Sequence, residues 1–302
     1  MATQDFSAKK RIRTSFFIGV IIAAVLLTSH IPVVITAFVL LLNTAAAYEI
    51  LKAAYFRPDN KMSAVVILSG LLIISIPFPG YIKFLPYVYV AATLKFLRIM
   101  RRIGRYHADV PIQLFIICTF IALFFKAIPT LRKLEQGFFY LLAAILCGCM
   151  TDIFAYTVGK KFGKHKLAPT VSPNKTIEGS IGGIAGSVIT LLLMGFFLHM
   201  QEITVVHFGK LLLYAVTGSV VGQLGDLSMS AIKRCLCVKD FGSLLPGHGG
   251  ILDRFDSLLF IAPYSLLFCR YAGPFSCKST VRFSPFYTSL FDIPFFVNSS
   301  FI

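Results

Sequence analysis

The chain has 302 residues, of which 57% are hydrophobic and only 14% charged, and its mean hydropathy is +0.79. This composition excludes an ordinary soluble globular protein and predicts an integral membrane protein. The formal net charge is +16. Because the Lys and Arg residues lie mainly in the connectors between apolar segments, the charge favours membrane lipid or phosphate groups as partners and disfavours nucleic acid.

Apolar segments recur along the whole chain, and a membrane-crossing helix needs about 20 such residues. The predicted fold is therefore all-α, a polytopic integral membrane helix bundle of about nine transmembrane helices. The predicted spans are Ser15 to Ser29, Pro32 to Leu51, Ser63 to Pro79, Tyr81 to Leu97, Ile112 to Ala127, Phe138 to Val158, Ser180 to Leu198, Leu211 to Ile232 and Ser257 to Tyr271.

The basic residues between these segments predict their sidedness. If the basic N-terminus is cytoplasmic, the heaviest Lys and Arg clusters fall on the cytoplasmic side, as the positive-inside rule requires. The connector with Lys126, Arg132 and Lys133 is the exception. The two long polar loops, residues 160–175 and 233–254, are therefore predicted to share the cytoplasmic face.

The first of these loops follows a helix that carries Asp152, with Tyr156 four residues later on the same face, which is predicted to turn inward. The loop ends in Ser172-Pro-Asn-Lys-Thr-Ile-Glu178, which predicts a turn that enters a new helix. Either Ser172 or Thr176 could cap that helix and leave N–H groups suited to a phosphate. Lys175 then lies at the mouth of the helix.

The second loop is flanked by acidic residues on two helices. Asp226, Ser230 and Lys233 share one helix face, and Asp253 and Asp256 begin the next helix. Three carboxylates at adjacent helix ends form a hard oxygen set that suits Mg²⁺, which usually binds one or two carboxylates together with substrate phosphates. The number and identity of the cations, including a second one, stay open.

Basic residues and glycines surround these carboxylates. The cations predicted to hold a triphosphate are Lys233, Arg234, Lys239 and Arg254. Gly249 and Gly250 allow the backbone to approach the phosphates closely, and His248, which glycines flank, is predicted to contact substrate.

The stretch from Ser230 to Asp256 resembles the signature of phosphatidate cytidylyltransferases, also called CDP-diacylglycerol synthases. The matching positions are Ser230, Lys233-Arg234, Lys239-Asp240, Gly242, Pro246, His248-Gly249-Gly250, Asp253-Arg254 and Asp256. A long match of mixed residue types is far more specific than a single glycine motif. The segments 152–156, 163–169 and 172–179 are also similar to that family.

The resemblance implies that CTP and phosphatidate react to give CDP-diacylglycerol and pyrophosphate, with Mg²⁺ required. By resemblance and position, Asp226, Asp253 and Asp256 bind the metal, and Lys233, Arg234, Lys239 and Arg254 hold phosphates, with Lys175 as a further candidate. Phosphatidate is expected to enter sideways from the leaflet. A bacterial inner membrane, with the active site facing the cytoplasm, is the expected location. The oligomeric state is left open, with a homodimer as one possibility.

The chain is predicted to divide into N-terminal transmembrane helices (1–137), a catalytic transmembrane region with two cytoplasmic loops (138–271) and an atypical C-terminal tail (272–302). Two other function classes stay open from the residues alone. A CTP-dependent lipid-alcohol kinase could use the same carboxylates, metal and basic residues. A transporter of anionic solutes is less favoured, because its charges would line a pathway at the membrane midplane and not the helix ends.

Overall fold

The computed structural model describes residues 16–54, 60–75, 110–242 and 249–276, together with residues 87 and 244. His248 and nearly all of the predicted span from Tyr81 to Leu97 lie outside the described residues. The helices, in chain order, are α1 (Phe16–Leu27), α2 (Pro32–Ala53), α3 (Asn60–Ser75), α4 (Val110–Phe125), α5 (Ala127–Arg132), α6 (Gly137–Phe162), α7 (Ile177–Met200), α8 (Phe208–Cys235) and α9 (Leu252–Ala272).

Four of these helices, α2, α6, α7 and α8, are long and apolar enough to cross a membrane. The predicted membrane character agrees with this finding, but the count of nine spans is not confirmed and stays a prediction. Among the other helices, α9 carries Asp253, Arg254 and Asp256 in its first turns and Pro263 in its interior. Its amino-terminal end is therefore polar, and it brings charged groups to the end of the bundle.

The all-α prediction omitted two small antiparallel sheets. In one, β1 (Lys166–Ala168) pairs with β2 (Ser172–Thr176), and in the other, β3 (Val205–Val206) pairs with β4 (Phe275–Ser276). The strands have two to five residues, too few for alternating hydrophobicity to reveal them in the sequence. The β1–β2 hairpin occupies most of the first polar loop.

The local chemistry of the chain sets where α7 begins. The Thr176 hydroxyl accepts a hydrogen bond from the N–H of Gly179 at 3.1 Å, so Thr176, and not Ser172, is the N-cap. On the adjoining face, α7 packs closely against α6: a Cβ added to Gly183 would lie 2.8 Å from the carbonyl oxygen of Thr151. Small residues at such positions allow the backbones of two helices to approach each other.

The described fold continues for a few residues past Ala272, into the predicted C-terminal tail, while the division of the chain stays a prediction. Strand β4 lies beyond Ala272, and Phe275 is buried against Tyr140, whose hydroxyl donates to the Phe275 carbonyl at 2.8 Å. The N–H of His207 also donates to the carbonyl of Pro274. Residues 273–276 therefore belong to the bundle, whereas residues 277–302 lie outside the described part of the chain.

Candidate active site

The two polar loops meet at the ends of α6, α8 and α9. The Arg234 guanidinium donates to the carbonyl of Val171, between β1 and β2, at 3.2 Å and to the carbonyl of Val238 at 3.3 Å. Lys175 of β2 lies 2.5 Å from Asp226 of α8. These contacts place the two loops side by side, at the same end of the bundle, while the cytoplasmic location of that end stays a prediction. Arg234, predicted to hold phosphates, joins the loops in this structure.

Glu178 fixes the hairpin that carries Lys175. Its carboxylate accepts the N–H groups of Lys164 and His165 at 3.1 and 3.2 Å, and it lies 2.6 Å from Nδ1 of His165. Since Glu178 belongs to the first turn of α7, the end of α6 and the start of α7 are held together. Lys175 lies at the helix mouth as predicted, and the neighbouring Glu178 accepts hydrogen bonds from the backbone of the loop.

Three carboxylates from three helices form the centre of the candidate site. Asp152 of α6, Asp226 of α8 and Asp256 of α9 lie close enough to influence one another electrostatically. Ser257 donates to Asp152 at 3.2 Å, and Ser230 donates to Asp226 at 3.3 Å. Like charges this close disfavour the ionised form of all three carboxyl groups, and a nearby cation would favour it. We call Asp152, Asp226 and Asp256 the carboxylate cluster.

Asp152 was not in the predicted metal set, although the sequence had singled it out as a charge within an apolar helix. The structure places it in the cluster, where it meets the Ser257 hydroxyl of α9, but its side chain is exposed, so the prediction that it turns inward is confirmed only in part. Tyr156, predicted to share its inward face, is instead 68% exposed, with Lys160 above its ring. That part of the prediction is wrong, because none of the described helices covers the Tyr156 ring.

Asp253 has a different environment from the cluster. One oxygen accepts from Nζ of Lys233 at 2.9 Å, and the other accepts the N–H groups of Phe241 and Gly250 at 3.0 and 2.9 Å. Nζ of Lys233 also lies 5.6 Å from the centre of the Phe241 ring. Asp253 and Lys233, predicted as metal ligand and phosphate clamp, are thus a buried ion pair that holds the second loop.

The donors of the cluster suit a divalent cation chemically, since hard oxygens are what Mg²⁺ prefers. Within the described ranges, however, no three His, Cys, Asp or Glu side chains are grouped so that they could hold a metal ion. Asp226 is turned toward Lys175 instead. Metal binding by Asp226, Asp253 or Asp256 therefore stays a prediction.

An apolar cavity that is open on one side leads to the carboxylate cluster. Residues of α1, α2 and α6 supply most of its apolar lining, including Leu26, Phe38 and Ile145. Its polar end is formed by Asp152, Arg254 and Ser257. The cavity thus joins an apolar interior to a site with charges of both signs.

The remaining predicted site residues are distributed as follows. Arg254 and Lys239 are exposed, Arg254 at the cavity and Lys239 in the loop after α8. Gly249 has a φ of +84°, a conformation that favours glycine.

Gly250 faces Glu49 of α2, a site residue that was not predicted from the sequence. A charged residue inside the apolar segment from Pro32 to Leu51 was the signal that could have identified it.

The fold and the site together define a protein of apolar membrane-type helices with a cluster of carboxylates and cations at their ends. A model of the cytidylyltransferase family matches residues 9–272, and the chain belongs to this family.

Individual relatives show the same relationship. A phosphatidate cytidylyltransferase of Staphylococcus haemolyticus is 50% identical over 129 residues, which are 43% of this chain and 48% of that protein. Proteins with the same name from Staphylococcus epidermidis and Staphylococcus aureus are 49% and 50% identical over equal shares. The chain thus matches about half the length of these curated relatives, 48% in each case.

Proposed function

We propose that the protein transfers the cytidylyl group of CTP to phosphatidate in phospholipid biosynthesis. An anionic phosphate oxygen of phosphatidate forms a bond to the α-phosphorus of CTP, and the bond from that phosphorus to the oxygen of the β-phosphate breaks. The products are CDP-diacylglycerol and pyrophosphate. The observation that carries this proposal is the apolar cavity that ends at Asp152 and Arg254.

The chemistry of the cavity lining suits a lipid that bears a phosphate, since it is apolar along most of its length and polar at one end. Acyl chains would occupy the part lined by Leu26, Phe38 and Ile145, and the exposed Arg254 would meet the phosphate monoester. A guanidinium is well suited to that role because it donates two parallel hydrogen bonds to phosphate oxygens. A polar solute would gain little from so apolar a lining, which argues against the transporter alternative.

Lys175 is the cation best placed to meet the nucleotide phosphates. It pairs with Asp226 at 2.5 Å, and both side chains are about one quarter exposed, so an incoming triphosphate could compete for the ammonium group. Lys239 is exposed on the neighbouring loop. Lys233 and Arg234 would contribute through the loop geometry that they maintain.

Mg²⁺ is proposed as the cofactor, with Asp226 and Asp256 as its protein ligands and Asp152 as the third carboxylate of the cluster. When bound, a divalent cation would neutralise the negative charge that builds up on the phosphates during transfer. Asp152 replaces Asp253 in this proposal, because both oxygens of Asp253 already accept hydrogen bonds from protein groups.

The proposed location is a bacterial inner membrane with the site on the cytoplasmic side. Two arguments support it: the named relatives are bacterial, and the loops at the site carry many of the basic residues that favour the cytoplasm. A homodimer stays a prediction.

The reaction can be tested with purified protein in liposomes containing phosphatidate. With CTP and Mg²⁺ we expect CDP-diacylglycerol and pyrophosphate in equal amounts, with UTP, GTP and ATP as poor substitutes. Chelation of divalent cations by EDTA should stop the reaction, and added Mg²⁺ should restore it. If protein that retains its helical content releases no pyrophosphate, the proposal is wrong. Release of CDP in place of pyrophosphate, in liposomes that also contain diacylglycerol as a lipid alcohol, would indicate the lipid-alcohol kinase.

A further inference from the structure

Glu49 is a buried carboxylate near the end of α2 that the proposed reaction does not use. It is 1% exposed and contacts a segment 202 residues further along the chain. Its Oε1 accepts the N–H of Ile251 at 2.9 Å, and its Oε2 accepts the N–H of Leu252 at 3.0 Å. The carboxylate therefore joins the N-terminal helices to the beginning of α9.

The contact supplies what the start of α9 lacks. The first N–H groups of a helix have no partner within the helix, and an adjacent side chain usually accepts from them. Ile251 is the N-cap residue here, and its side chain has no acceptor. Glu49 provides two acceptor oxygens from another helix, and its negative charge complements the positive end of the helix dipole.

Two glycines of the second loop pack against the same carboxylate. A Cβ added to Gly250 would lie 2.5 Å from Oε2 of Glu49, and one added to Gly242 would lie 2.6 Å from Oε1. Both distances are far below van der Waals contact, so the backbone of each arm of the loop packs directly on Glu49. The sequence predicts that Gly250 approaches a phosphate, whereas in the structure Gly250 packs on Glu49.

Glu49 acts together with Asp253 on the same short segment. Asp253 accepts the N–H groups of Phe241 and Gly250, so the two carboxylates bind four backbone N–H groups on the two arms of the loop. The segment that they hold leads into Arg254 and Asp256, which face the cavity and the carboxylate cluster. A displacement of about 1 Å in such groups can lower a rate by about 100-fold.

We propose that Glu49 is a positioning residue for the reaction: by binding the N–H groups of Ile251 and Leu252, it sets where Arg254 and Asp256 stand relative to Asp226. This inference rests on the proposed function. It gives the N-terminal helices a part in catalysis, through the backbone and without contact to the substrate.

The test uses the full chain with Glu49→Gln, which keeps the side-chain volume but turns an amide NH₂ toward one of the two N–H groups. We expect faster hydrogen–deuterium exchange at residues 250–254, unchanged exchange in α6 and α7, and a kcat lowered by about 10- to 100-fold. Gly242→Ala, which presses on the same carboxylate from the loop, should give the same pattern. Glu135→Gln, an exposed substitution between α5 and α6, is the matched control and should change neither quantity.

The outcomes separate this inference from the proposed function. Faster exchange at residues 250–254 with an unchanged kcat would overturn the positioning role, and so would faster exchange throughout the bundle, which would indicate a role in stability alone. Unchanged exchange at residues 250–254 would overturn the anchoring contact. If the wild-type protein makes no CDP-diacylglycerol although Glu49→Gln still loosens residues 250–254, the proposed function fails while the contact is established.

Discussion

Asp256→Asn is expected to lower kcat for CDP-diacylglycerol formation by on the order of 100- to 1,000-fold, the effect of removing one electrostatic stabiliser of a transition state. Asp256 is buried at the start of α9, within electrostatic reach of Asp226, Lys233 and Asp152. Asn preserves the shape of the side chain and an oxygen for the N–H of Ser257, which donates to Asp256 at 2.8 Å. The substitution therefore removes an ionisable carboxyl group with little change in packing.

The expected result is measured as initial rates at saturating CTP and phosphatidate, with the thermal midpoint recorded for each variant. Glu135→Gln, which also removes a carboxylate charge but at an exposed position, is the control and should retain full activity. A folded Asp256→Asn protein with a wild-type kcat would exclude Asp256 from the active site.

Asp253→Asn is expected to act mainly on the fold, with a loss of about 3–5 kcal/mol in the free energy of unfolding, because it removes the carboxylate that pairs directly with the buried Lys233 ammonium. Asp253 and Lys233 are 8% and 9% exposed, and their charged groups are 2.9 Å apart. Chemical denaturation in detergent micelles, followed by circular dichroism, measures the effect.

The double variant Lys233→Met/Asp253→Asn supplies the control for this prediction. Removing both charges leaves no unpaired ion, so the double variant should be more stable than Asp253→Asn alone. If the single variant is as stable as the wild type, the ion pair does not hold the second loop. Asp253 would then again be a candidate metal ligand.

The features that the sequence predicted well are those with a local signature. The helical spacing of Asp226, Ser230 and Lys233 placed them on one helix, and Thr176 was one of two predicted caps for α7. The density of polar residues in residues 160–175 and 233–254 identified the two loops that meet. Each of these inferences depends on residues within a few positions of one another.

The features that the sequence did not predict depend on pairing between distant segments. Glu49 meets Ile251 only because α2 packs at the end of α9, and no local pattern encodes that contact. Asp253 resembles Asp256 in the sequence, yet one binds Lys233 and the loop backbone and the other joins the cluster. The tertiary structure sets which group each carboxylate faces. The different roles of Asp253 and Asp256 therefore become visible only in the folded chain.

The most direct test of the account follows the phosphorus atoms of CTP. Purified protein in phosphatidate liposomes is supplied with Mg²⁺ and with CTP labelled at either the α- or the γ-phosphate, and the lipid product is extracted. Cytidylyl transfer predicts that the α-label enters the lipid and that the γ-label leaves as pyrophosphate. Lipid that carries the γ-label, or no labelled lipid from either nucleotide, would contradict the account.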